Sequence, residues 1–109
     1  MRQFWTKELI TQLAKYFNSK FEQYFCRVTF KSKEVRLVYK RYVYNQSMLF
    51  CVKHRSKFDP RKGQALTYFA TIILSFLIHK YTKVKKGFYE EISQIEQSIR
   101  DRKLNLILQ

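Results

Sequence analysis

Trp5, Leu9, Leu13, Tyr16, Phe17, Phe21 and Tyr24 recur at three- and four-residue steps, the spacing that lines up one face of an α-helix. Thr6 stands before the run as an N-cap, and Glu8 falls in the first turn, where the helix dipole favours a carboxylate. The pattern predicts an amphipathic helix over residues 6–25. Its aromatic stripe is expected to be core, not a platform for stacking bases, because periodic aromatics are usually buried.

The next stretch, CRVTFKSKEVRLVYKRYVYNQ, carries two patterns. Val28 and Phe30, then Val35, Leu37 and Tyr39, alternate as in a hairpin turning at Lys31–Glu34. Val35, Val38, Tyr39, Tyr42, Val43, Leu49 and Phe50 fit the helical template instead, and Ser32 supplies a cap. The longer match predicts a helix over 33–56, with Asn45 as a point where it could break. KFDPRKG then holds the only proline and one of the two glycines. Pro60 keeps Asp59 out of the helical region, and Gly63 is expected to let the chain reverse, which makes a corner between helices. From Ala65 to Ile78, eleven of fourteen residues are apolar. That run is shorter than the ~20 residues a bilayer needs and suits a buried helix. Thr67, Thr71, Ser75 and His79 fall on one narrow polar stripe of it, and Lys80, Lys83, Lys85 and Lys86 close it. After Gly87, a face of Phe88, Ile92, Ile95, Ile99 and Leu106 predicts a last amphipathic helix that packs on the domain. Residues 1–109 are thus expected to form one compact, all-α domain of four or five helices.

Charge changes the picture from fold to partner. The formal net charge is +14, an imbalance that strains a compact state by self-repulsion and usually signals a polyanion, nucleic acid before membrane. Between Val35 and Tyr89 there are twelve Lys and Arg but one acid, Asp59. Cys26 and Cys51 have no CxxC spacing and no nearby His pair, so no metal site is expected. Reduced intracellular thiols are the plain interpretation. His54 and His79 are expected at the surface or in a groove. The N-terminal residues are expected to carry no secretory signal, since Trp5 and Lys7 interrupt any apolar run. No phosphate loop, metal constellation or catalytic triad can be assembled, so neither an enzyme nor a cofactor is expected.

KFDPRKG followed by ALTYFATII resembles the second region of bacterial sigma factors, the promoter-melting module. It is most similar to the late-transcription sigma-like factors of tailed phages, through Tyr68, Phe69, Ile72, Ile73 and the lysine-rich end. The likeness covers residues 42–86. It implies a sigma region 2-like core and a polymerase-docking helix in which Val43, Asn45, Gln46 and Leu49 meet a coiled coil on the largest polymerase subunits. Asn45 and Gln46 stand where the family places a Gln and an acid. The likeness also implies that Phe69 helps hold a flipped base of a −10-like element, and Ile72 and Ile73 replace the Trp wedge of housekeeping members. Adjacent helical residues point about 100° apart, so Tyr68 and Phe69 cannot both face DNA, and Phe69 is expected to be the more buried. Tyr68 and Phe69 are suited to stacking unpaired bases, Thr67, Thr71 and Ser75 to bonding phosphates or sugars, and Lys80, Lys83, Lys85 and Lys86 to holding the backbone.

These features lead to an expected sigma-like initiation factor that docks on a multisubunit RNA polymerase and captures the non-template strand of promoter DNA. A co-activator or tether would supply upstream contacts, no membrane would be involved, and the setting would be the cytoplasm of a bacterial host. The alternative is an rRNA-binding structural protein in an organelle matrix, because AT-rich codons also produce high Phe, Tyr, Ile and Lys.

Overall fold

The computed structural model describes residues 4–108. Its helices are α1 (Lys7–Phe25), α2 (Lys33–Lys53), α3 (Ala65–Lys85) and α4 (Glu90–Leu108), with single 3-10 turns at Arg55–Lys57 and Pro60–Lys62 between α2 and α3. Among the described residues there is no strand. The caps stand where the side-chain chemistry requires them. Thr6 Oγ1 accepts the Leu9 N–H at 3.1 Å, and Ser32 Oγ accepts the Val35 N–H at 3.2 Å. The helical pattern wins over the hairpin, and Val28 and Phe30 lie in the α1–α2 connection. Asn45 does not break α2, because its exposed amide makes no competing bond to the backbone. The helix ends at Lys53, three residues before the expected end, where the chain tightens into the first 3-10 turn.

The core is built from rows spaced by four. Leu9, Leu13, Phe17, Phe21 and Phe25 of α1 are buried, and α1 lies closest to α3, while Phe17, Phe21 and Phe25 also meet Tyr44 and Tyr39 of α2 at centroid distances of 5.2–6.4 Å. Helices α2 and α3 run antiparallel: Cys51 Sγ meets the Phe69 carbonyl at 3.8 Å, whereas Lys80 Nζ lies 5.6 Å from the Tyr42 ring. Helix α4 packs on α2 through Ile92 and Ile99. Its expected apolar face is only partly used. Phe88 and Leu106 are 65% and 67% exposed, because Phe88 precedes the first turn of α4 and Leu106 lies past the last pairing with α2, Lys103 to Glu34 at 3.1 Å. No helix among the described residues is long and apolar enough to cross a membrane.

The corner reverses without the help expected from Gly63. That residue is extended (φ 160°, ψ −173°), and nothing lies within 4 Å of where a Cβ would sit. The reversal comes from the Pro60–Lys62 turn, in which an Asp59 carboxylate oxygen accepts the Arg61 N–H at 3.0 Å. The glycine that matters is Gly87, at φ 91°. It ends α3 in a Schellman motif: Phe88 N–H donates to the Lys83 carbonyl and Gly87 N–H to the Val84 carbonyl, each at 3.0 Å. Gly63→Ala should therefore be neutral or slightly stabilising, whereas Gly87→Ala should cost about 1–2 kcal/mol. Thermal denaturation of the two variants checks this, and equal losses would contradict it.

Candidate nucleic-acid interface

Phe58 aims the corner. It is buried, with ring centroids 4.8 Å from Phe4, 5.2 Å from Tyr68 and 5.6 Å from Phe69, and Trp5 closes on Phe69 at 5.1 Å. This aromatic plug fixes where α3 begins. Above it, Lys57, Lys62, Gln64, Thr67 and Tyr68 border a shallow pocket of about 290 Å³. Tyr68 packs one side against Phe58 and Phe69 and turns the rest of its ring to this pocket, while Thr67 is exposed. Phe69 is fully buried in the plug, so the fold withholds it from a flipped base.

The carboxylates are spent mainly elsewhere. Glu22 pairs with Arg36 and Lys40, Glu96 with Lys31, Glu34 with Lys103 and Glu91 with Lys80. Hydrogen bonding by Lys40 leads the effects that hold the Glu22 carboxyl below its ordinary range. Around the corner, Asp59 pairs with Arg61, and Lys53, Lys57 and Lys62 make no ion pair among the described residues. Lys57 and Lys62 were not among the expected contacts, although their place beside Phe58-Asp59-Pro60 is plain in the sequence.

A second concavity, about 690 Å³, runs between α2 and α3. It brings Gln46 and Leu49 alongside Thr71 and Ser75, so residues expected to serve two partners share one groove. Thr71 Oγ1 donates to the Thr67 carbonyl at 2.9 Å, which leaves only acceptors for a phosphate that needs donors. Ser75 keeps its hydroxyl available. Gln46 Nε2 donates to the Tyr42 hydroxyl at 2.9 Å, and its buried Oε1 has no partner among the described residues. Val43 is fully buried in the core and cannot meet a docking surface, while Asn45 is exposed outside the groove.

Lys80 is also withdrawn from DNA. It is 7% exposed, and its ammonium donates to both Glu91 oxygens at 2.9 and 2.7 Å. Burial raises the Glu91 pKa, but hydrogen bonds from Lys80 and Tyr42 and the charges of Lys80 and Lys83 outweigh it, leaving the carboxyl below its ordinary 4.5. A depressed carboxyl contributes stability that is fully present above about pH 4.5 and lost as pH falls through the folded value. Glu91→Gln should remove that acid-sensitive part and cost about 2 kcal/mol at neutral pH, because the near-buried ammonium loses its counter-charge. Denaturant melts from pH 3 to 7 measure this, and an unchanged pH profile would contradict it.

Lys83, Lys85 and Lys86 are exposed at the far end of α3. At 1.5 Å per residue they lie about 24–28 Å from Thr67, some seven to eight base steps of a duplex. They cannot grip the few nucleotides that would meet Tyr68; Lys57 and Lys62 are the near cations. No family model, curated protein or solved structure matches the chain.

Proposed function

We propose that this chain is a sigma-like transcription initiation factor that docks on a multisubunit RNA polymerase and helps recognise and melt a −10-like promoter element. The observation that carries it is the corner. A half-buried Tyr68 and an exposed Thr67 open α3 beside Lys57 and Lys62, which make no ion pair among the described residues, with an aromatic plug holding the start of the helix in place. Single-stranded nucleic acid is held in this manner, by an aromatic face for a base and cations for the adjoining phosphates. Gln46 and Leu49 supply the docking side, on the groove of α2. Retaining a buried, half-satisfied amide in that groove costs stability, which is more readily understood at a binding surface than in plain core. Catalysis belongs to the polymerase, and a second protein supplies contacts upstream.

Co-purification with a multisubunit RNA polymerase, followed by run-off transcription, tests this function. The double variant Gln46→Ala with Leu49→Ala should bind the polymerase at least about tenfold more weakly while staying helical, since both side chains line one groove and neither belongs to the fully buried core. Undiminished binding would remove the docking assignment. A structural rRNA-binding role is favoured by one observation, the presence of basic clusters at both ends of α3. Failure to bind polymerase, together with salt-sensitive binding to structured RNA, would establish that role instead.

A further inference from the structure

We infer that the α2–α3 groove receives a single acidic amphipathic helix, whose apolar side chains rest on Leu49, Phe50 and Phe76 and whose carboxylates face Lys53. That the helix belongs to the polymerase rests on the function proposed above; its charge does not. The floor is apolar and open: Leu49 is 62% and Phe50 44% exposed, and Phe76 stands 5.5 Å from Phe50. The rim is basic. Lys53 has no ion pair among the described residues, and His54 and His79 line the same groove. His54 Nδ1 donates to the Phe50 carbonyl at 2.9 Å, which fixes the ring beside Phe50, and His79 is exposed. Among the described residues no carboxylate borders the groove, and Glu91 already engages the Lys80 charge from outside it. A basic partner helix would find nothing here to pair with.

A nucleic acid fits this groove poorly. It would need several phosphate contacts along its path, and one unpaired lysine supplies few compared with the corner. From Gln46 to Lys53 the groove follows two turns of α2, about 10 Å, which matches two or three apolar anchors of a helix at three- and four-residue spacing.

The test uses the full chain and three fluorescein-labelled 20-residue helical peptides. All carry Leu at the a and d positions of a heptad, and they differ only in Glu, Gln or Lys at the flanking positions. The Glu peptide should bind about tenfold more tightly than the Gln peptide by fluorescence anisotropy. Lys53→Glu should abolish that preference and favour the Lys peptide. Lys15→Glu, the same charge change on an exposed site of α1, should alter affinity less than about twofold. Equal weakening by Lys15→Glu and Lys53→Glu would overturn the inference, since attraction would then be general to a basic surface. Displacement of the Glu peptide by single-stranded DNA that itself depends on Lys53 would also overturn it, in favour of nucleic acid. Polymerase co-purification separates the two claims. Retention of Lys53→Glu at the wild-type level would sink the groove inference and leave the initiation role standing. No retention of the wild type, with the peptide preference intact, would sink the initiation role and leave the groove inference standing.

Discussion

Phe69→Ala should remove a large share of the protein's stability. The Phe69 ring is fully buried and meets Phe4, Trp5, Phe58 and Tyr68 at centroid distances of 5.0–6.1 Å. Truncating such a ring costs about 3–5 kcal/mol, through lost transfer energy and the cavity left behind. Small domains hold only about 5–15 kcal/mol in total. A domain of this size loses roughly 4–8 °C of melting temperature per kcal/mol, so the midpoint should fall by at least about 12 °C. Circular dichroism on heating provides the check. A variant that melts normally yet fails to open promoters would show that Phe69 touches DNA after all.

Tyr68→Ala should do the reverse, sparing much of the fold and impairing strand opening. The Tyr68 side chain is half-buried against Phe58 and Phe69 and borders the corner pocket with Lys57 and Lys62. Losing one base–aromatic stack removes about 1–3 kcal/mol, which lowers the open fraction about five- to 150-fold. Permanganate reactivity of −10-region thymines in the polymerase complex reports the open fraction. The variant should be defective on duplex DNA, at least partly rescued on a pre-melted template, and normal in polymerase docking. Tyr68→Phe keeps the stacking face and should behave like the wild type. Normal reactivity of Tyr68→Ala on duplex DNA would end the melting role, and a melting temperature as low as that of Phe69→Ala would make Tyr68 ordinary core.

The contrast between these neighbours shows what the sequence made legible. Helical spacing gave α1 and its buried stripe, and Thr6 and Ser32 marked two helix starts, because capping is local chemistry. Thr67, Thr71, Ser75 and His79, the polar stripe of α3, are all exposed, in keeping with their four-residue steps. Site residues taken from a family likeness were less dependable, since a likeness aligns positions and not faces. Val43 belongs to the buried row Val35, Tyr39, Val43, Ser47 and Cys51, which the same spacing could have revealed. Lys80 sits on the buried row of α3, but its partner Glu91 is eleven residues away on another helix, so only the fold could show the pair. Glycine was similarly deceptive. Composition counts two, while only Gly87 adopts a dihedral that other residues avoid.

The packing of α1 more closely on α3 than on its chain neighbour α2 has a consequence for how the protein is made. When the ribosome has released Phe25, the five apolar side chains on the buried row of α1 have no lasting cover. Tyr39 and Tyr44 of α2 can reach Phe17, Phe21 and Phe25 first, but the cover is complete only with residues 65–85, about 60 codons later. At 5–20 residues per second that interval is roughly 3–12 s. Throughout it, a strongly basic nascent chain shows an aromatic stripe to its surroundings, the condition under which holdase chaperones engage and under which pausing would invite aggregation. Synonymous changes that slow translation between codons 30 and 85 should therefore lower the soluble yield without altering a single residue.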